Sequence, residues 1–323
     1  MFSTEAGRLR GADGSRRSAK GVTGTVVLVA LLVSAACSSS TGSAAKSDIP
    51  KASKADTSTS TRTTAAAPTV QPNTLDVVGL DYKYKITGSP KPGLVTITFD
   101  NRADDAHEMS LALLKPGKTL AEAKKALAGP NAEKAAGALL QNPNSEITSP
   151  AITGASHRVT VTAKLAAGHY IVTCFLPGPH GMPHAAMGMI AEFTVAGAPA
   201  TAPAPKTDGT VELKDAGISL PSTFGKGGTF AVTNTGTKAH DFAVAKLGSL
   251  TVPGLFRCVG ASFGKGTPID KCSGTIVGGI TTLQTGESGY LTITLGKGKY
   301  GYLSTEGNGA DLKAGLMGTF AVA

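Results

Sequence analysis

Gly168-His-Tyr-Ile-Val-Thr-Cys174-Phe-Leu-Pro-Gly-Pro-His180-Gly-Met-Pro-His184-Ala-Ala-Met-Gly-Met189-Ile-Ala-Glu-Phe-Thr-Val195 reads as strand, loop, strand. Its two ends alternate apolar and polar residues, and the Gly- and Pro-rich middle cannot continue either. The same frame returns near the C-terminus. Arg158-Val-Thr-Val-Thr-Ala-Lys-Leu165, Gly168-His-Tyr170, a loop and Phe193-Thr-Val195 match Tyr290-Leu-Thr-Ile-Thr-Leu295, Gly298-Lys-Tyr300, a loop and Phe320-Ala-Val322. Further upstream, Val95-Thr-Ile-Thr-Phe-Asp-Asn101 with His107-Glu-Met-Ser-Leu-Ala-Leu113 matches Phe230-Ala-Val-Thr-Asn234 with His240-Asp-Phe-Ala-Val-Ala245, and Asn to His is six residues in both. The chain is therefore a duplication with a period of roughly 130 residues. Short alternating runs bounded by Gly, Pro and Asn predict an all-β protein of two tandem β-sandwiches. Residues 74–196 and 207–323 are the two copies, joined by an Ala/Pro-rich linker over 197–206. Each is about 115–125 residues, enough for its own core.

Within copy one, Thr119-Leu-Ala-Glu122 fits a capping box, predicting a short helix from Leu120 to about Ala128. A second is expected from about Ala132 to Leu140, after Pro130. Copy two has no such insertion; there Cys258 and Cys272 flank what reads as a Gly/Lys loop.

The N-terminus is a targeting segment. Arg8, Arg10, Arg16, Arg17 and Lys20 precede a short apolar run, Val22 to Val33, and then Ser34-Ala-Ala-Cys37. A basic region, a run too short to span stably and small residues before a Cys describe a signal peptide over residues 1–36 and a lipidated Cys37. Ser34 departs from the Leu favoured three residues before a lipidated Cys. Residues 37–73 are rich in Ser, Thr, Ala and Lys without hydrophobic period, so they are expected to be a disordered tether with an r.m.s. reach of about 35 Å. The expectation is a protein held by lipid at the outer face of the cell membrane. The formal net charge of +9 includes three net positive charges from residues 1–36, leaving +6. These charges are scattered Lys residues with no Arg-rich cluster and no Trp, which speaks against nucleic-acid binding.

Four cysteines then sort themselves. Cys37 takes lipid, and Cys258 with Cys272 is expected to form a disulfide outside the cytoplasm. Cys174 is left over, inside the loop that also holds His180, His184, Met182, Met187 and Met189. A thiolate, an imidazole and a weak thioether, joined by a second imidazole, make a mononuclear blue-copper site. His107 is the candidate for the second imidazole. Asp104, Asp105 and Asn101 lie near it in sequence as partners for its other ring nitrogen.

This pattern resembles the cupredoxin family of Greek-key copper proteins, over both copies. The resemblance implies His107, Cys174, His184 and Met189 as metal ligands, and His184-Ala-Ala-Met-Gly-Met189 has the His-x-x-x-Gly-Met form of the family's copper nitrite reductases. The nine residues between Cys174 and His184 exceed the usual gap, which leaves His180 with Met187 as alternates. The repeat favours His184 and Met189: Met189 lies four residues before Phe193, as Leu316 does before Phe320. Copy two keeps His240 but has Ser304, Asp311 and Leu316 at the other three positions, so it is not expected to hold copper.

One-electron transfer to an unknown redox partner is the function implied. Catalysis is not expected, because Cys174 is flanked by Thr173 and Phe175 and not by a His that could ligate a neighbouring copper. A Cu(I) chaperone or storage protein and a metal-free binding module are the alternatives.

Overall fold

The computed structural model describes residues 73–127, 137–141, 146–178, 181–265, 269–272 and 274–323. The signal, Cys37, the tether, His180 and most of the expected second helix lie outside the described residues. No helix among the described residues is long and apolar enough to cross a membrane.

The first half supplies β1 (Thr74–Leu80), β2 (Lys83–Thr87), β3 (Gly93–Asn101), β4 (Ser110–Leu113), α1 (Leu120–Leu127), β5 (Arg158–Leu165), β6 (Gly168–Thr173) and β7 (Ile190–Val195). The second supplies β8 (Thr210–Lys214), β9 (Gly217–Ser219), β10 (Gly228–Asn234), β11 (His240–Leu247), α2 (Val252–Lys265), β12 (Gly274–Leu283), β13 (Ser288–Ile293), β14 (Gly298–Leu303), α3 (Glu306–Ala314) and β15 (Met317–Val322). The fold is all-β, and the pairings repeat. β1 lies parallel to β3 as β8 does to β10, while β3–β5 and β10–β13 are antiparallel. The order β4-β6-β7 recurs as β11-β14-β15.

The alternation written in the sequence decides the faces. Val95, Ile97 and Phe99 of β3 and Val159 and Val161 of β5 turn inward and are essentially inaccessible. Each such side chain contributes about 1.5–3 kcal/mol of burial. Outward positions carry Thr, and their hydroxyls meet across strands at Thr96–Thr162 (3.0 Å) and Thr229–Thr292 (2.8 Å). Tyr170 stacks on Phe193 at 5.1 Å and Tyr300 on Phe320 at 5.2 Å, each pair at 12°.

The two halves share a sheet. β5 pairs antiparallel with β13 (Thr162 opposite Tyr290, Thr160 opposite Thr292), which joins both halves in one eight-stranded sheet, β2-β1-β3-β5-β13-β10-β8-β9. Linker residue Ala200 also donates its N–H to the Pro92 carbonyl at 2.8 Å.

The capping box forms as spaced: Thr119 N–H donates to Glu122 Oε2 (2.9 Å) and Glu122 N–H to Thr119 Oγ1 (3.2 Å). Of the expected second helix, the described residues 137–139 are helical. The expected loop between Cys258 and Cys272 is corrected by the structure, since the 14-residue helix α2 runs through Cys258 as far as Lys265. Val252, Leu255, Phe256, Val259 and Phe263 recur at helical spacing and pack inward. Pro253 falls in the first turn, where its missing N–H costs nothing. The cysteines themselves are bonded as expected.

Candidate metal centre

His107 enters from the residues preceding β4. Its backbone exchanges two hydrogen bonds with Thr153 (3.0 and 2.8 Å). Asn101 explains the shared Asn-to-His spacing. Its Nδ2 donates to the carbonyls of Asp105, Thr153 and Gly154 at 2.9–3.0 Å, and its Oδ1 accepts from Ala103 N–H. The Asn side chain thus clamps the turn that carries the His. Asn234 does the same in the second half, donating to Lys238 and Leu283 and accepting from Gly236. Asn101 is therefore not the partner of the His107 ring, as the sequence had allowed. His107 Nε2 and His184 Nε2 are both buried with no hydrogen-bond partner among the described residues.

Cys174 follows β6 directly, and the loop after it folds back on it. Cys174 N–H donates to the Met189 carbonyl (3.3 Å), Ala185 N–H to the Cys174 carbonyl (2.7 Å), and Met189 N–H to the His184 carbonyl (2.9 Å). Those bonds bring three side chains together. Cys174 Sγ lies 3.3 Å from His184 Nδ1 and 3.9 Å from His107 Nδ1, and the two Nδ1 atoms are 3.0 Å apart. All three are buried. Met189 is fully buried and packs in the same apolar cluster as Cys174. Met187 is half-buried, and its Sδ lies beside Gly178; an added Cβ there would come within 2.8 Å of that sulfur and 3.0 Å of the His184 ring.

Burial lowers the His107 imidazole to about 4, reinforced by the neighbouring His184. Burial lowers His184 as well, against a smaller pull from Asp105. The Cys174 thiol is pushed far up by burial and by the nearby Glu108 carboxylate. Two neutral imidazoles and a thiol thus converge out of contact with solvent. A tetrahedral ion with bonds of about 2.0–2.3 Å holds its donors about 3.3–3.8 Å apart, close to the spacing found. Soft sulfur with two imidazoles and a buried thioether suits copper.

Several residues of the site were not singled out from the sequence. Glu108 accepts from the N–H of Phe175 (2.5 Å) and donates its own backbone N–H to Cys174 Sγ (3.5 Å). Tyr84 donates to the Glu108 carbonyl. Tyr82, in the left-handed region at φ 54°, sets its ring edge-on to His184 at 4.9 Å. The one sequence signal for these was adjacency: Glu108 follows His107.

The second half fills the matching place differently. His240 Nδ1 contacts Asp311 Oδ2 (2.5 Å) and its Nε2 contacts Asp215 Oδ1 (3.1 Å). Ser304 Oγ lies 2.6 Å from both Asp311 Oδ2 and Asp241 Oδ1. Leu316 is fully buried, like Met189. Hydrogen bonds and ion pairs replace the soft donors.

No family model and no curated protein matches the sequence. Among solved structures, the chain is similar to dithionite-reduced auracyanin from the photosynthetic bacterium Roseiflexus castenholzii, at 19% identity and a TM-score of 0.26, over 36% of this chain and 95% of that one. It is similar to auracyanin A, a "blue" copper protein from Chloroflexus aurantiacus, at 23% identity and a TM-score of 0.26, over 39% of this chain and all of that one. A multicopper oxidase is similar at 14% identity and a TM-score of 0.21, over 77% of this chain and 88% of that one.

Proposed function

We propose that this protein is an extracytoplasmic lipoprotein whose first half binds one copper ion and passes single electrons to a redox partner. The convergence of Cys174 Sγ with the Nδ1 atoms of His107 and His184 in a buried pocket carries the reading. Met189 is the weak fourth donor. Copper would supply the change between its two oxidation states, and the chain's residues set the conditions for it. Cys174 gives the soft anionic donor, and the Glu108 N–H draws charge from its sulfur. The buried imidazoles stay neutral and available near pH 7. The fixed loop between Cys174 and Met189 resists rearrangement, which keeps electron transfer cheap.

The protein acts as a carrier and not a catalyst, since Thr173 and Phe175 beside Cys174 offer no route to a second metal. The basic N-terminal segment with Cys37 supports export and lipid anchoring at the outer face of the cell membrane, and Cys37→Ala would release the chain into the medium.

The test is one equivalent of Cu(II) added to metal-free protein, with Cys174→Ala as the control. Intense visible absorption that disappears in the variant is the expected result. Colourless protein that binds Cu(I) would make it a chaperone or storage protein, and no binding of either ion would leave a metal-free binding module.

A further inference from the structure

Cys174 and Met189 have no exposed surface, and the apolar cluster they belong to extends into the other half of the chain. Cys174, Leu176, Met189 and Ala106 form one apolar cluster with Ile269 and Ile276, and Val259 and Phe263 pack at its edge. The last four belong to the second half. Val259 and Phe263 lie one turn apart on α2, Ile269 opens the short 3-10 turn Ile269–Lys271, and Ile276 is on β12.

The backbone connects the same parts. The Ile276 carbonyl accepts from Gly154 N–H at 2.8 Å, and Gly154 follows Thr153, the residue paired with His107. A Cβ at Gly154 would sit 2.4 Å from that carbonyl oxygen, so the close approach requires glycine. The Cys258–Cys272 disulfide joins α2 to the turn that presents Ile269. Cys258 immediately precedes Val259, and Cys272 directly follows the turn.

We propose that the second half is the wall of the first half's metal pocket, with Ile269, Ile276 and the inward face of α2 shutting water out and the disulfide latching them in place. An apolar shell controls solvent access to a metal site and the dielectric around it, and hence its potential. The second half, with Ser304, Asp311 and Leu316 at the matching positions, has a task that needs only shape. This deepens the copper reading for its purpose, but its test needs no metal.

The test is the alkylation rate of Cys174 in the metal-free full chain by iodoacetamide, followed by mass spectrometry of the peptide that contains it. The variants are the pair Ile269→Ala with Ile276→Ala, the pair Cys258→Ser with Cys272→Ser, and Gly154→Ala. Leu139→Ala, which loosens a separate apolar cluster, is the control. The wall and latch variants should react about tenfold faster or more, as local opening becomes easier, with the control unchanged. Should a variant fail to fold, a dithiol added to the folded wild type gives the same reading: it reduces the disulfide to two thiols, becoming a cyclic disulfide itself, and Cys174 should then react faster. Folded wall and latch variants that react at the wild-type rate, or a control that accelerates equally, would overturn the proposal. The copper-loaded spectrum of the wild type separates the two ideas. Without the thiolate band, faster alkylation still upholds the wall while the copper reading fails; with the band, unchanged alkylation sinks the wall alone.

Discussion

Burial keeps the Cys174 thiol protonated and the His107 and His184 rings neutral near pH 7. Cu(II) binding there should release about one proton per ion, from sulfur. Calorimetry in buffers of different ionisation enthalpy checks this, and release near zero would mean that the thiol stays out of the metal shell. Met189→Leu should keep the visible band and raise the reduction potential, because losing a donor disfavours Cu(II) more than Cu(I). Met187→Leu should change neither. The exchange of these two outcomes would put Met187 in the fourth position. In the second half, burial alone would depress His240, but its bonds to Asp311 and Asp215 outweigh that and raise it. The hydroxyl and N–H groups of Thr237, with His240 and Lys238 N–H, draw Asp215 down to about 2. His240 therefore adds stability that is full below about pH 6.5 and fades as pH rises through its higher folded value, whereas Asp215 adds stability above about pH 4 that fades toward pH 2. His240→Gln would leave Asp311 without its charged partner and cost about 3–5 kcal/mol at pH 5. Urea midpoints at pH 5 and pH 9 should differ more in wild type than in that variant. Equal differences would mean that the pair is not charged.

At the scale of elements, strands such as β10 and β13 were legible because one face of each is buried, and the same period two shows directly in Val95-Thr-Ile-Thr-Phe99. The capping box at Thr119 and Glu122 was legible for a similar reason, being a local exchange of hydrogen bonds. Helix α2 was not. Its glycines, Gly254, Gly260 and Gly264, resemble a loop, and only the packing of Leu255, Phe256 and Val259 against neighbouring strands overrides that local preference. The three converging side chains were within reach of the sequence, since strand ends fix where His107 and Cys174 emerge. Tyr82 and Tyr84 were not, because the β1–β2 turn and β2 approach the site only through tertiary packing. Close approach of backbones is likewise invisible beforehand: a Cβ at Gly279 would lie 2.0 Å from the Phe242 carbonyl oxygen. Gly279→Ala should force β12 from β11 and destabilise the chain by about 1–3 kcal/mol. Chemical denaturation measures it, and an unchanged midpoint would show that β12 has room to shift.

Across the whole molecule, the two halves repeat one pairing scheme, and the described residues hold one soft donor set. The β5–β13 junction could not have been read in advance, because alternation says which face of a strand is buried and not which strand lies beside it. That junction and the contacts of β12 bind the ligand-poor half to the pocket of the other. One copper per chain, seen by sulfur and imidazole together, is therefore expected. X-ray absorption at the copper edge, on protein given excess Cu(II) and then desalted, tests this most directly. One copper per chain with a short sulfur shell and two imidazoles, the sulfur shell lost in Cys174→Ala, is the predicted result. Two coppers per chain, or a spectrum of nitrogen and oxygen alone, would contradict it.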